Sequence, residues 1–176
     1  RLAALGRGLP TTFDGGVQAA SATLAILGAP TQGLVVRDGS GLSRANRIAP
    51  ITLASALQVA ADPQPDEPAD DADTESRELL DAITWAPPGL AVGGLTGSLA
   101  GRFQQEETES GAGRVRAKTG TLTGVTSLTG VVATEQGRPL VFSVLGNETP
   151  DTAAARQALD EVAAALARCG CAGGSA

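Results

Sequence analysis

The sequence predicts an α+β fold in which helices come first and a small antiparallel sheet, covered by a last helix, follows. Three observations point that way. Segments with cap residues and helical apolar spacing fill the first half; runs rich in Val, Thr and Leu occupy residues 115–145; and an Ala-rich amphipathic segment follows them.

Residues 2–9 read as the tail of a helix. Thr11, Thr12 and Asp14 are cap candidates for a second helix running to about Leu27, apolar at Val17, Ala20, Leu24 and Leu27 and ended by Gly28 and Pro30. Leu34–Val36 is a short apolar strand before the turn Asp38-Gly39-Ser40-Gly41. The Asp38–Arg44 segment reads as structural, a tight turn with Arg44 as a buried or capped ion-pair partner. Pro50–Ala61 is a third helix with proline in its first turn. Residues 62–75 hold three prolines, seven carboxylates and no basic residue, the composition of a solvated loop that lacks the ligand spacing of a calcium site. A fourth helix over Ser76–Trp85 stops at "APPG". A glycine-rich connection and a polar loop then lead to strands at Val115–Leu122, Val125–Thr134 and Pro139–Leu145, the last two joined around "EQGR" as a hairpin. Three strands make a poor sheet alone, so further strands are expected from outside the chain. Thr149 or Asp151 caps the last helix, whose apolar face includes Ala155, Leu159, Val162 and Leu166. Trp85 and Phe103 are core candidates.

Composition narrows the function. The 176 residues are 42% apolar, enough for a buried core, and carry a net charge of -6 with only three Phe, one Trp and no Tyr. Nucleic acid is excluded as a partner, since clustered cations and stacking rings are missing. No histidine and two cysteines leave a zinc site without ligands. Cys169 and Cys171, one residue apart, are expected to be free thiols or bridged outside the chain. No stretch approaches eighteen consecutive apolar residues. The opening "RLAALGRGLP" begins inside what reads as a helix, which predicts that these residues are the later part of a longer polypeptide.

The chemistry centres on Lys118, the single lysine among thirteen cationic residues. It opens Lys-Thr-Gly-Thr at the start of an alternating Thr/apolar run. Serine, lysine and threonine on adjacent elements can perform acyl transfer without histidine: an amine is the base, a second cation holds a carboxylate, and backbone N–H groups stabilise the oxyanion. Alone, the tripeptide is a weak signal, because a surface strand residue before a turn has the same form. Strand alternation also puts Lys118, Gly120 and Leu122 on one side and Thr119, Thr121 and Thr123 on the other. A bend at Gly120, or a site at the strand edge, is needed to unite them.

Taken together, "DGSGLSRANR", "TGSLAGRF", "GRVRAKTGTLTGVTSLTGVV" and a last helix ending "LARCGC" resemble the C-terminal part of the D-alanyl-D-alanine carboxypeptidases of the class C low-molecular-mass penicillin-binding type, peptidase family S13. The resemblance implies that residues 1–176 are the C-terminal part of one penicillin-recognising, transpeptidase or β-lactamase-like domain, with 62–75 as a loop. Of that family's three motifs, Ser-x-x-Lys and Ser-x-Asn are missing from the chain: Val115 stands three before Lys118, while Arg44 and Leu145 stand two before Asn46 and Asn147. Nucleophile and general base are therefore expected on a missing N-terminal part. The resemblance gives Lys118 a role beside the nucleophile and toward the terminal carboxylate. It gives the Thr119 and Thr121 hydroxyls that carboxylate, the Thr121 N–H one oxyanion contact, Thr123 the penultimate part of the peptide, and side-chain-free Gly120 room for substrate to lie as an added strand.

The implied protein is an extracytoplasmic serine carboxypeptidase or endopeptidase acting on peptidoglycan stem peptides ending in D-Ala-D-Ala. It would be acylated by β-lactams and need no metal or organic cofactor. The alternative is a non-catalytic peptidoglycan-binding or scaffold module of the same fold.

Overall fold

The computed structural model describes residues 2–61 and 86–170. The chain forms two compact units, Arg1–Trp85 and Ala86–Ala176. The acidic 62–75 segment, the helix expected over Ser76–Trp85, and Trp85 lie outside the described residues.

In the first unit, α1 (Leu2–Gly6) and α2 (Phe13–Ile26) pack together, and α3 spans Pro50–Ala61. Of the three cap candidates Thr12 caps α2: its Oγ1 accepts from the Gly15 N–H at 3.1 Å, satisfying one of the donors a helix start leaves over. α3 is tied to the chain after α2 by the buried Thr52, whose hydroxyl donates to the Pro30 carbonyl at 2.5 Å. The strand expected at Leu34–Val36 is reduced to one bridge, Val35 with Arg47. Below it, the Asp38 carboxylate collects Ser40 Oγ at 2.7 Å, Asn46 Nδ2 at 2.8 Å and the Ser43 N–H at 3.2 Å. Those donors, Asn46 foremost, hold its carboxyl below the ordinary value of 3.8. The turn is thus built around an aspartate, and Arg44 is exposed where burial was one of its two expected settings.

The second unit opens with α4 (Ala86–Gly89), a single turn made of "APPG" itself. The expectation that this sequence only ends a helix is corrected: proline is tolerated in a first turn, where N–H groups have no intrahelical acceptor. Four antiparallel strands follow in the order β1 (Ala91–Val92), β2 (Val115–Leu122), β3 (Val125–Ala133) and β4 (Pro139–Asn147). β1, read from sequence as a glycine-rich connection, is the strand the three-strand reading missed. It pairs with β2 only through Ala91 with Ala117 and Val92 with Arg116. β2 and β3 pair in unbroken register from Val115 with Val132 to Leu122 with Val125. β3 stops one residue short of its expected end, since the Thr134 N–H and carbonyl turn the hairpin with Arg138 and Gly137. β4 runs two residues past its expected end.

Helix α5 (Thr152–Ala167) covers one face of this sheet, capped by Asp151 Oδ1, which accepts from the N–H groups of Ala153 and Ala154 at 2.8 and 3.1 Å. Leu159, Ala163 and Ala167 pack with Val115, Ala117, Leu128, Val132 and Phe142 from alternate strand positions. Leu159 was expected inside, but Val162 is 42% exposed, and the inward stripe runs instead through Ala163, Ala164 and Ala167. Small side chains let the helix approach closely, so its buried face is not its most apolar one. The glycines before β2 have a similar use: a Cβ at Gly111 would lie 2.5 Å from the buried Phe103 ring, and one at Gly93 2.8 Å from it. Cys169 is disulfide-bonded, which corrects the free-thiol expectation for that residue.

Candidate active site

β2 carries four of the five residues singled out, and pairing decides how they are presented. The Val115 carbonyl accepts from the Gly93 N–H at 2.8 Å, whereas the Arg114 carbonyl faces β3 and accepts from Ala133. Alternation along an antiparallel strand then directs the N–H and C=O of Ala117, Thr119 and Thr121 to the β1 side, and those of Lys118, Gly120 and Leu122 to β3. Because β1 ends its pairing at Ala117, the backbone of Thr119 and Thr121 faces an edge that no described strand covers.

Lys118 reaches the same edge. Its side chain leaves the opposite face, is exposed, and folds so that Nζ donates to the Thr119 carbonyl at 2.7 Å. The split that alternation imposes on lysine and threonines is thereby closed at the strand edge, without a bend at Gly120.

Thr119 and Thr121 also line a groove of about 690 Å³ between β2, the Gly97–Leu99 turn, the loop after it and the first turns of α5. Thr119 Oγ1 donates to Ser98 Oγ at 3.1 Å, and Arg156 Nη2 donates to Thr121 Oγ1 at 3.4 Å. Deeper in the groove Arg102 clamps Asp160, Nε on Oδ2 at 2.9 Å and Nη2 beside Oδ1 at 2.7 Å. The second contact lacks hydrogen-bond alignment, leaving Oδ1 ion-paired yet without a hydrogen bond. Burial pushes the Asp160 carboxyl above its ordinary 3.8, against the pull of the Arg102 hydrogen bond and charge.

The structure thus unites Lys118, Thr119 and Thr121 at one edge. Gly120 lies in the same strand, facing away from the groove, and Thr123 sits in the exposed turn between β2 and β3 without lining it. Sequence reasoning passed over Ser98, Arg102, Arg156 and Asp160. One signal was available: Asp160 follows Leu159 and precedes Ala163 and Ala164 in an inward stripe, and a carboxylate there requires a cation.

A family model for D-Ala-D-Ala carboxypeptidase 3 (S13) matches residues 1–166. The chain belongs to the S13 peptidase family. Among relatives of this S13 chain, a carboxypeptidase of Mycobacterium tuberculosis is 39% identical over 163 residues, covering 92% of this chain and 32% of the relative. The D-alanyl-D-alanine carboxypeptidase of an Actinomadura strain is 37% identical over 142 residues, covering 77% and 22%. The crystal structure of penicillin binding protein 4 from Haemophilus influenzae, complexed with a β-lactam, superposes with a TM-score of 0.66 at 24% identity, covering 92% of this chain and 35% of that one. That likeness speaks to the fold, and the α+β class expected from sequence is borne out. This S13 chain spans about a third of the length of the mycobacterial relative and of the Haemophilus protein.

Proposed function

We propose that the chain supplies the Lys-Thr-Gly strand of a serine-type D-Ala-D-Ala carboxypeptidase, with endopeptidase action on the same stem peptides as a second capacity. The observation that carries this is the edge of β2 that no described strand covers, where the N–H groups of Thr119 and Thr121 and the Lys118 ammonium converge beside two threonine hydroxyls. An extended peptide can add to such an edge as a further strand.

In this reading the serine nucleophile and its base come from polypeptide outside these residues, within one penicillin-recognising domain that also contains residues 1–176. The serine oxygen attacks the carbonyl of the penultimate D-Ala, the terminal D-Ala leaves as its amine after taking a proton, and water then hydrolyses the ester. The Thr121 N–H faces the developing oxyanion, and removal of one such donor costs about 3–4 kcal/mol of transition-state stabilisation. Lys118 adds positive charge beside the nucleophile, and the Thr119 and Thr121 hydroxyls meet the terminal carboxylate. Thr123, in the adjoining turn, reaches the penultimate side of the peptide. The enzyme works outside the cytoplasm, where its substrate lies, and the carboxypeptidase names of the relatives support the assignment.

The test is labelling of the full-length product with a fluorescent penicillin. A lasting covalent adduct at a serine is the expected result. A folded protein that stays unlabelled would remove the carboxypeptidase reading in favour of a non-catalytic peptidoglycan-binding module, and rapid turnover of the drug would indicate a β-lactamase.

A further inference from the structure

We infer that Arg156, on the second turn of α5, is the cation that reads the terminal carboxylate of the substrate, leaving Lys118 to act on the nucleophile's side. The inference rests on the carboxypeptidase reading and adds a specificity-determining residue to it.

Lys118 and Arg156 approach the threonine pair from different directions. Lys118 leaves the opposite face of β2 and is held at the edge by the Thr119 carbonyl. Arg156 stands on the threonine face, inside the groove, with Nη2 3.4 Å from Thr121 Oγ1. At that distance the contact is long for a hydrogen bond and uses one of five guanidinium donors.

The remaining donors are not claimed by an acid. Asp160 lies one helical turn further along and would be the natural partner at that spacing, but Arg102 occupies it on both oxygens. Among the described residues no carboxylate lies within ion-pair distance of Arg156. Among the described residues the groove therefore holds one neutralised ion pair and one uncompensated guanidinium, with the Thr121 hydroxyl beside the latter and the Thr119 hydroxyl lining the same groove. A planar fork flanked by hydroxyl groups matches a carboxylate, which takes two parallel N–H bonds from arginine and further bonds from hydroxyls.

The experiment uses the full-length protein, unmodified and as Arg156→Gln and Arg156→Lys. A peptide ending in D-Ala-D-Ala competes with a fluorescent penicillin, once as the free acid and once as the C-terminal amide. In the unmodified protein the acid should compete better. In Arg156→Gln the preference of acid over amide should fall by about tenfold or more, as loss of one charge-assisted contact predicts, with Arg156→Lys recovering part of it and the melting temperature unchanged. An acid-to-amide ratio in Arg156→Gln equal to that of the unmodified protein would overturn the role of Arg156 and leave the carboxypeptidase reading standing. No labelling of the unmodified protein would overturn both. Loss of competition by acid and amide alike would also refute the inference, because a carboxylate contact cannot act on the amide.

Discussion

Two glycines in the paired part of the sheet should respond very differently to the same substitution. Gly130 of β3 faces Ala117 of β2 in a narrow, non-hydrogen-bonded pair. A Cβ there would lie 2.6 Å from Ala117 Cβ and 2.7 Å from Ala117 Cα, and would overlap the Arg116 carbonyl oxygen. Ordinary carbon contacts need about 3.5 Å, so β2 must retreat by roughly 1 Å at Ala117. That retreat stretches the ladder bonds of the flanking pairs, Arg116 with Val131 and Lys118 with Thr129, beyond hydrogen-bond range. Overpacking of about 1–3 kcal/mol and two weakened bonds of about 1 kcal/mol each predict that Gly130→Ala costs about 3–5 kcal/mol. At Gly120 the added Cβ would overlap only Ser127 Oγ, with Ser127 Cβ at a comfortable 3.6 Å. Rotation of that hydroxyl costs about 1 kcal/mol, which the gain from replacing a strand glycine by alanine offsets, so Gly120→Ala should change stability by less than about 1 kcal/mol. Urea denaturation followed by circular dichroism measures both. If Gly120→Ala proves as damaging as Gly130→Ala, or Gly130→Ala proves neutral, the reasoning from these contacts is refuted. The same pair separates fold from substrate: a stable Gly120→Ala protein that no longer reacts with penicillin would show that the missing side chain at Gly120 serves the reaction and not the fold.

Other perturbations test the frame of the site. Asp151→Ala removes the acceptor for two N–H groups at the start of α5 and should cost about 1 kcal/mol in the same denaturation assay; no change would mean the cap is dispensable. Leu128→Ala, at the centre of the sheet and fully buried, should cost about 2–5 kcal/mol, with a smaller loss implying that the core collapses around it. For Asp38, whose carboxyl is held below 3.8, the contribution is present above that value and is lost as pH falls through the lowered folded one; an NMR titration midpoint at or above 3.8 would contradict the hydrogen-bonded turn. Asp160 has the opposite sign: raised by burial, it contributes most below 3.8 and loses that contribution as pH rises through its folded value. The stability of Asp160→Asn relative to the unmodified protein should therefore improve from pH 3 to pH 7, and a difference that stays flat would refute the shift.

Much of the scaffold was written in local sequence. Val115–Leu122 and Pro50–Ala61 were readable to the residue because alternation, β-branched side chains and a first-turn proline act over a few positions. β1 was not readable, since two residues carry no period and become a strand only by meeting Arg116 and Ala117. The inward face of α5 was misjudged at Val162 for a related reason: packing distance against the sheet selected alanines, and no hydrophobicity scale contains that distance.

For the site, sequence alone named Lys118, Thr119, Gly120, Thr121 and Thr123, because Lys-Thr-Gly and the threonines that follow it form a contiguous chemical signature. What only the tertiary structure decided is the convergence of Lys118, Thr119 and Thr121 at an edge that no described strand covers beyond the end of β1, and the company of Arg156, thirty-five residues away from Thr121 along the chain. Contacts of that range follow from how a helix is seated on a sheet, and side-chain periodicity within either element carries no information about the other.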